Sequence, residues 1–432
     1  MTNESSIPCN CEACNPKAAD QAAVAGGGEA PELIYLDHNA TTPIDPRVLD
    51  AMMPYLTSEF GNAASPHAFG QRAQAAAARA RQQVADILGA NEREIVFTSG
   101  ATESDNLAIK GAAAMYKSKG NHIVTSQAEH KAVLDACKRL EEEGFVVTYL
   151  PPDELGRVSA ESVAAAITEK TILITVMLAN NETGTINPIA AIGKLAKAKG
   201  ILFHTDATQA VGKVPIDVET MGVDLLSASA HKLYGPKGVG ALYVRSRNPR
   251  VRLACQMDGG GHERGLRSGT LNVPGIVGFG AACELAGRLM GEDSRRIGEL
   301  RDRLEKGILA AVDHSKVNGH PTERLYNTTN ISFAYVEGEG LMLRMPQVSV
   351  STGSACSSAT LEPSHVLKSM GVGDEMAHGS IRFSLGRGTT DAQIDFTIAK
   401  VIEVAQYLRR MSPLYEMAME GVDLSKVKWT EH

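Results

Sequence analysis

No stretch of this 432-residue chain is an unbroken apolar run of the roughly 18 residues that a membrane span needs, so a membrane protein is not expected. Basic excess is missing too. The chain has 43 Lys and Arg against 50 Asp and Glu, a formal net charge of −7, which argues against nucleic acid as a partner. The opening residues MTNESSIPCNCEAC have neither the basic region nor the apolar core of a secretory signal, and they lack the arginines of a transit peptide. No internal repeat is visible. The seven cysteines include the isolated Cys137, Cys255, Cys283 and Cys356, which fits a reduced, cytoplasmic protein rather than a disulfide framework. What is present is the composition of an ordinary globular protein, 43% hydrophobic and 22% charged, in a chain too long for one core.

Residues 1–30 are polar and rich in alanine and glycine, without periodicity, and read as a flexible extension. Inside it Cys9, Cys11 and Cys14 form a C-x-C-x2-C cluster that could bind zinc or an iron–sulfur species. No fourth ligand of matching spacing lies nearby, and the alternative is a thiol-bearing tail. From Leu33 a short strand and a turn rich in Asn and Thr lead to a helix opened by Asp45-Pro46. Gln71 to Leu88 has the spacing of an amphipathic helix. Strands at Glu94–Thr98, His122–Thr125, Phe145–Leu150, Thr171–Leu178 and Ile201–Thr205 then alternate with helices from Glu103, Lys131, Ala160 and Ile189. That alternation predicts a mostly parallel sheet covered on both faces. A long helical stretch from Gly275 toward Asp313 leads to a smaller α+β region.

The chemistry gathers at strand ends. The apolar run Val223–Ala230 ends in His231-Lys232, followed by Gly235, Pro236, Gly238 and Gly240. A lysine at a strand end, backed by a glycine turn, has the fixed position and the room that a Schiff-base lysine needs; the alternative is a solvated turn lysine. Upstream, Asp206 closes another apolar strand and Gln209 follows. An acid and a lysine so placed are the protein's two main contributions to pyridoxal-phosphate chemistry, although Asp206 could equally cap a helix. Either way the acid sits where open α/β sheets bind ligands. Gly100-Ala101-Thr102 offers N–H groups at a helix start, a phosphate cup or a plain cap, and no Gly-Lys-Ser/Thr follows to make a P-loop. Ser229 and His231 add donors beside the lysine, and Ser268-Gly269-Thr270 forms another donor loop. His130 can stack on a flat cofactor and move protons, or be structural. Asn181 ends a further strand at the same edge, so five strand ends converge.

Cys356 stands apart, in SVSTGSACSSATLEPSHVL, among small polar residues rather than the apolar neighbours of Cys137 and Cys283. It is a candidate nucleophile on an accessible loop, or a spectator thiol. Arg382, on a strand at Ser380–Leu385, can clamp a carboxylate through two parallel hydrogen bonds.

Taken together, YLDHNATTP, FTSGATESDNLAIKG, EHKAVLD, ANNETG, HTDATQAVGK, HKLYGPKGVGALYVR, GGGHERGLRSGT, GSACSS and SIRFSLGR make the chain strongly resemble the pyridoxal-phosphate-dependent cysteine desulfurases of the housekeeping type that supplies iron–sulfur assembly. These motifs cover nearly everything after Leu33. The resemblance implies an aspartate-aminotransferase-like α/β fold (fold type I), with an N-terminal arm at residues 31–45 packing with the small domain, a large cofactor-binding domain at 46–290 and a small domain at 291–432 carrying the cysteine loop. It implies pyridoxal 5'-phosphate held by Lys232, with Asp206 on the ring nitrogen, Gln209 on the phenolic oxygen, His130 stacked on the ring and moving protons, and Asn181 near the ring. Ala101, Thr102, Ser229 and His231 would bind the phosphate, joined by Thr270 from the partner subunit of a homodimer. Asn39 and Arg382 would hold the carboxylate of L-cysteine. Cys356 would attack its sulfur, leaving alanine and an enzyme persulfide for an iron–sulfur scaffold protein or another acceptor.

Three features depart from the pattern. They are the cysteine-bearing extension, Ala230 where a glycine is expected, and the stretch Met345-Pro346-Gln347. No resident metal is expected; a cluster shared between Cys356 and a scaffold, and thiolate binding by Cys9, Cys11 and Cys14, are the metal roles left open. Two rival readings are a selenocysteine lyase of the same fold and a metal-binding scaffold built on the N-terminal cysteines.

Overall fold

The structure, a computed structural model, describes residues 33–352 and 363–421. Cys9, Cys11, Cys14 and Cys356 therefore lie outside the described residues. After β1 (Ile34–Tyr35) comes α1 (Pro46–Thr57), where the Asp45 carboxylate accepts from the Arg47 N–H and Pro46 fills a first-turn position that needs no N–H. The next helix, α2 (Ala68–Leu88), buries Ala73, Ala77, Ala80, Val84 and Leu88, a stripe at spacings of three and four.

Then follow β2 (Ile95–Thr98), α3 (Ala101–Tyr116), β3 (His122–Ser126), α4 (Lys131–Glu142), β4 (Val146–Leu150), α5 (Ala160–Ala166), β5 (Thr171–Thr175), α6 (Ile189–Lys199), β6 (Leu202–Asp206), β7 (Leu225–Ser229) and β8 (Gly240–Val244). The strands form one sheet in the order β2-β8-β7-β6-β5-β3-β4, in which β8 alone runs against its neighbours. Alternate residues serve opposite faces, as the two-residue period of a strand requires. Phe97, Ile174, Phe203 and Leu226 join a core with α2 and α6, while Val96, Leu173, Leu202 and Leu225 pack with α3 and α4. Both faces are covered, so these strands read as continuous apolar runs. The expected strand Thr171–Leu178 stops at Thr175, and the Met177 N–H goes to the buried Glu129 carboxyl instead.

The long helix α7 (Val273–Ala311) is apolar and long enough, by length and composition, to cross a membrane, which the run lengths had not suggested. Just over half of that apolar stretch, 56%, is buried inside the protein. Phe279, Cys283 and Ala286 belong to the core under the large sheet, while Ile297, Leu300, Leu304 and Ile308 belong to a second core. After α7 come β9 (Ser315–Asn318), β10 (Thr328–Phe333), α8 (Gly338–Leu343), β11 (Val348–Ser349), α9 (His365–Ser369), α10 (Asp374–His378), β12 (Ser380–Ser384), α11 (Asp391–Arg410) and α12 (Pro413–Met419). In the second core Ile331, Phe333, Ile381 and Phe383 supply the sheet side and Ile394, Val401 and Val404 the helix side, while Val366 and Leu367 of α9 and Ala377 of α10 cluster with Ala128 instead. The small sheet is antiparallel, in the order β12-β10-β9. The N-terminal arm reaches it through β1, which pairs with β11, and through a bridge from Asp37 to Ser384. Ala230, the residue where a glycine is expected, is fully buried in the large core, so its methyl group is packing rather than obstruction.

Candidate active site

A cavity of about 560 Å³ opens at the carboxyl edge of the large sheet. The ends of five strands build it. Ala101 and Thr102 follow β2, His130 follows β3, Asn181 follows β5, Asp206 ends β6 and Gln209 follows it, and Ser229 ends β7 with His231 and Lys232 just beyond. Asn39, beyond β1, and Arg382, on β12, close the remaining side. Thr270 is exposed and forms no part of this wall.

Local sequence explains the placement. Gly100 precedes α3 without a side chain to cap it, which leaves first-turn N–H groups facing the cavity. A Cβ on Gly240 would come within 2.7 Å of the Gly100 Cα, so only glycine lets β8 lie against this loop. Lys232 ends a short 3₁₀ turn, and its Nζ donates to the Asn39 carbonyl at 2.6 Å and the Ala40 carbonyl at 2.8 Å. His130 caps α4, its Nδ1 accepting from the Ala132 N–H at 3.1 Å. Burial lowers the His130 pKa, so the ring is neutral and carries its proton on Nε2, on the other side from the cap. Burial, then the charge of Lys232, pushes His231 down to about 4, leaving it a neutral donor or acceptor beside Thr41.

Asp206 is 6% exposed and accepts from the Thr208 N–H at 2.9 Å. Under it lies a polar floor. His204, two residues earlier on the same face of β6, contacts Thr175 at 2.8 Å and Ser227 at 3.0 Å, and its Nε2 lies 3.6 Å from Asp105 Oδ1. Burial, reinforced by the charge of Asp206, raises the Asp105 carboxyl well above its ordinary range. Glu129 is raised likewise by burial; one of its oxygens accepts from Met177 and the other has no partner among the described residues. Burial also pushes His204 down to about 4, so the short Asp105–His204 approach joins a neutral acid to a neutral ring, not an ion pair.

Arg382 donates to Asp37 at 2.7 Å and to the Asn181 carbonyl at 2.9 Å. The Asn39 amide is engaged with the Asn181 carbonyl, Thr328 and Asn327. The residues flanking 353–362 are tied to the same wall. The Arg382 N–H donates to the Ser351 carbonyl at 2.7 Å, and the Ser364 hydroxyl donates to the buried Glu182 carboxylate. The sequence reading assigned no role to Asp105, Glu129, His204, Glu182 or Lys213. Only His204 carried a signal, as a polar residue inside the apolar run ILFHTD.

Sheet, cavity and strand-end lysine together define a class of protein: the family model for Aminotransferase class-V matches residues 34–396. Among relatives, the Cysteine desulfurase IscS of Anaeromyxobacter sp. (strain Fw109-5) is 59% identical over 398 residues, 92% of this chain and 98% of that one. A solved NifS-like protein superposes with a TM-score of 0.81 at 38% identity, covering 87% of this chain and all of its own. SspA, solved in complex with cysteine, gives a TM-score of 0.72 at 40% identity over 82% of this chain and 98% of its own. The chain belongs to the cysteine desulfurases, within the class-V aminotransferase family.

Proposed function

We propose that the cavity binds pyridoxal 5'-phosphate and converts L-cysteine to L-alanine, with the sulfur passing to Cys356 as a persulfide. The observation that carries this reading is one cavity holding a primary amine, a buried acid and an uncapped helix N-terminus. The residues fit the cofactor. The open N–H groups of α3, with Ser229 and His231, suit its phosphate. Asp206 suits a cationic ring nitrogen, and Gln209 offers an amide N–H to the neighbouring oxygen. When bound, the cofactor supplies an electron sink for the carbon atoms of the substrate.

The chain's own residues do the rest. Lys232 would hold the cofactor through its amine, His130 and Lys232 would move protons at the substrate carbons, and Arg382 would exchange Asp37 for the substrate carboxylate. The Cys356 thiolate attacks the substrate sulfur. An S–S bond forms, the Cβ–S bond breaks with its electron pair left on carbon, and protonation of that carbon gives alanine. Reactant and product balance as two thiols giving one persulfide and one C–H bond. In the same reading Thr270 completes the phosphate site of a second copy in a homodimer, and residues 46–290 hold the cofactor while 291–432 carry the cysteine segment, with the arm at 31–45 packed against them. Cytoplasmic iron–sulfur scaffolds and other thiol acceptors take the sulfur, and residues 1–30 stay an extension of open role.

The test is release of sulfide and alanine from L-cysteine under reductant, wild type beside Cys356→Ala, each checked for the yellow cofactor band. The expected outcome is a yellow, active wild type and a yellow mutant with activity lowered at least about a hundredfold. Full turnover by Cys356→Ala would overturn the persulfide step. A wild type that stays colourless with added cofactor would overturn the assignment of Lys232.

A further inference from the structure

Behind the large cavity lies a second one of about 10 Å³, lined by both Lys232 and Lys213. It is at the lower limit for a single water molecule, so a charge beside it is solvated by protein or not at all. Lys213 is 7% exposed. Its Nζ donates to the Gln209 carbonyl at 3.0 Å and to Gln209 Oε1 at 3.3 Å. Gly212 makes that approach, with φ +77° and no room for a Cβ, which would meet Ala286 Cβ at 2.9 Å.

An ammonium has donors only, so the Gln209 amide must turn its oxygen toward Lys213. Its nitrogen then faces the Asn39 carbonyl, to which it donates at 2.9 Å, and that carbonyl is the one that takes Lys232 Nζ at 2.6 Å. Both ends of the amide demand the same orientation. The chain of contacts runs without a gap from one lysine to the other.

We propose that Lys213 is a positioning residue for Lys232: through the Gln209 amide and the Asn39 carbonyl it fixes where that amine sits, and as a second cation in a dry pocket it opposes a proton on it. This rests on the reading of Lys232 as the reactive amine. Like charges in a desolvated site disfavour each other's charged form. The repulsion is mutual: burial first and the charge of Lys232 second push Lys213 down to about 7, so it acts as the second cation below that pH and the effect fades above it. His38, Tyr234, Tyr326 and Arg387 share the small cavity, and burial holds His38 neutral, down to about 4. On the large-cavity side Lys232 shares the wall with Asp206, Glu103, His130, His231, Lys237 and Arg382. No carboxylate lines the small cavity among the described residues; of the acids behind it, Asp293 and Asp45 pair with Arg387 and Asp37 pairs with Arg382.

The experiment uses the full chain freed of cofactor, with Lys213→Met, Lys213→Arg, Gln209→Ala and the Lys213→Met/Gln209→Ala double variant. One arm measures acetylation of Lys232 by limiting acetic anhydride across pH, read by peptide mass spectrometry. The other measures the affinity for pyridoxal 5'-phosphate by fluorescence titration. The expected result is that Lys213→Met slows Lys232 acetylation several-fold at neutral pH, and Lys213→Arg restores most of it. Lys213→Met and Gln209→Ala each weaken cofactor binding about tenfold, the scale of one hydrogen bond to a charged group, and the double variant is no worse than either. Unchanged acetylation in Lys213→Met, or losses that multiply in the double variant, would sink the proposal. A wild type that takes up no cofactor would defeat the reading of the cavity, while the acetylation arm still decides the role of Lys213. Circular dichroism checks folding; should Lys213→Met not fold, Lys213→Arg against Gln209→Ala decides.

Discussion

Asp105 lies in the packed face of α3 beside Leu107, Ala108 and Ile109, with water excluded and the Asp206 charge close by. A carboxyl there is raised, so the fold favours its protonated form, and the sign of its contribution follows. Stability from such a group is fully present below the ordinary carboxylate pKa and is lost as pH rises through the folded value. Asp105→Asn keeps the shape and removes the titration. Cofactor-free Asp105→Asn is expected to match wild type within about 1 kcal/mol near neutral pH, and to lose less stability than wild type as pH rises above the ordinary carboxylate range. Urea unfolding at several pH values measures it. A loss of roughly 3–5 kcal/mol at neutral pH would instead mean a charged Asp105 paired with His204. Lys213 has the opposite sign: a lysine whose pKa is depressed when folded makes the protein gain stability as pH rises from about 7 toward its unfolded value. Lys213→Met should flatten that rise.

Residues of this kind mark the limit of what could be read from the chain. Lys232, Asp206, His130 and Asn181 were legible because each is a polar residue closing an apolar run, and a sheet gathers such ends at one edge. Asp105, Glu129 and Lys213 look in sequence like the solvated charges around them. Only the packing of α3, the Met177 N–H and the turn at Gly212 show that they are buried.

Among the elements, the strand and helix alternation was legible from periodicity, and ends moved by a few residues where a side chain took a backbone group, as Glu129 does at the close of β5. The direction of β8 was not, since an antiparallel strand buried on both faces has the same apolar pattern as a parallel one. The helix α7 raises a separate matter. Gly287 and Gly291 sit on its exposed side between the two cores, and a Cβ at either would meet nothing. Glycine inside a helix costs about 0.5–1 kcal/mol relative to alanine. Gly291→Ala is therefore expected to raise stability by about that amount, read as a higher denaturant midpoint with an unchanged slope. A loss would show that the helix must bend there.

At the scale of the whole molecule, α7 is structural to both cores, with Phe279 and Cys283 in one and Leu300 and Leu304 in the other. Neither core can melt and leave the helix intact. Far-ultraviolet and near-ultraviolet signals of the cofactor-free protein should fall together in one denaturant transition, and two separated transitions would show that the cores unfold independently.

The arm carries a consequence for synthesis. Asp37 and Asn39 leave the ribosome early, yet their partners Ser384, Arg382 and Thr328 come late in the chain. A nascent chain therefore contains Lys232, Asp206 and the start of α3 while Arg382 on β12 is still missing. The order of translation leaves the acid of the arm without its guanidinium until the last strand is made, and a ribosome stalled before β12 carries an Asp37 that has no Arg382 to meet.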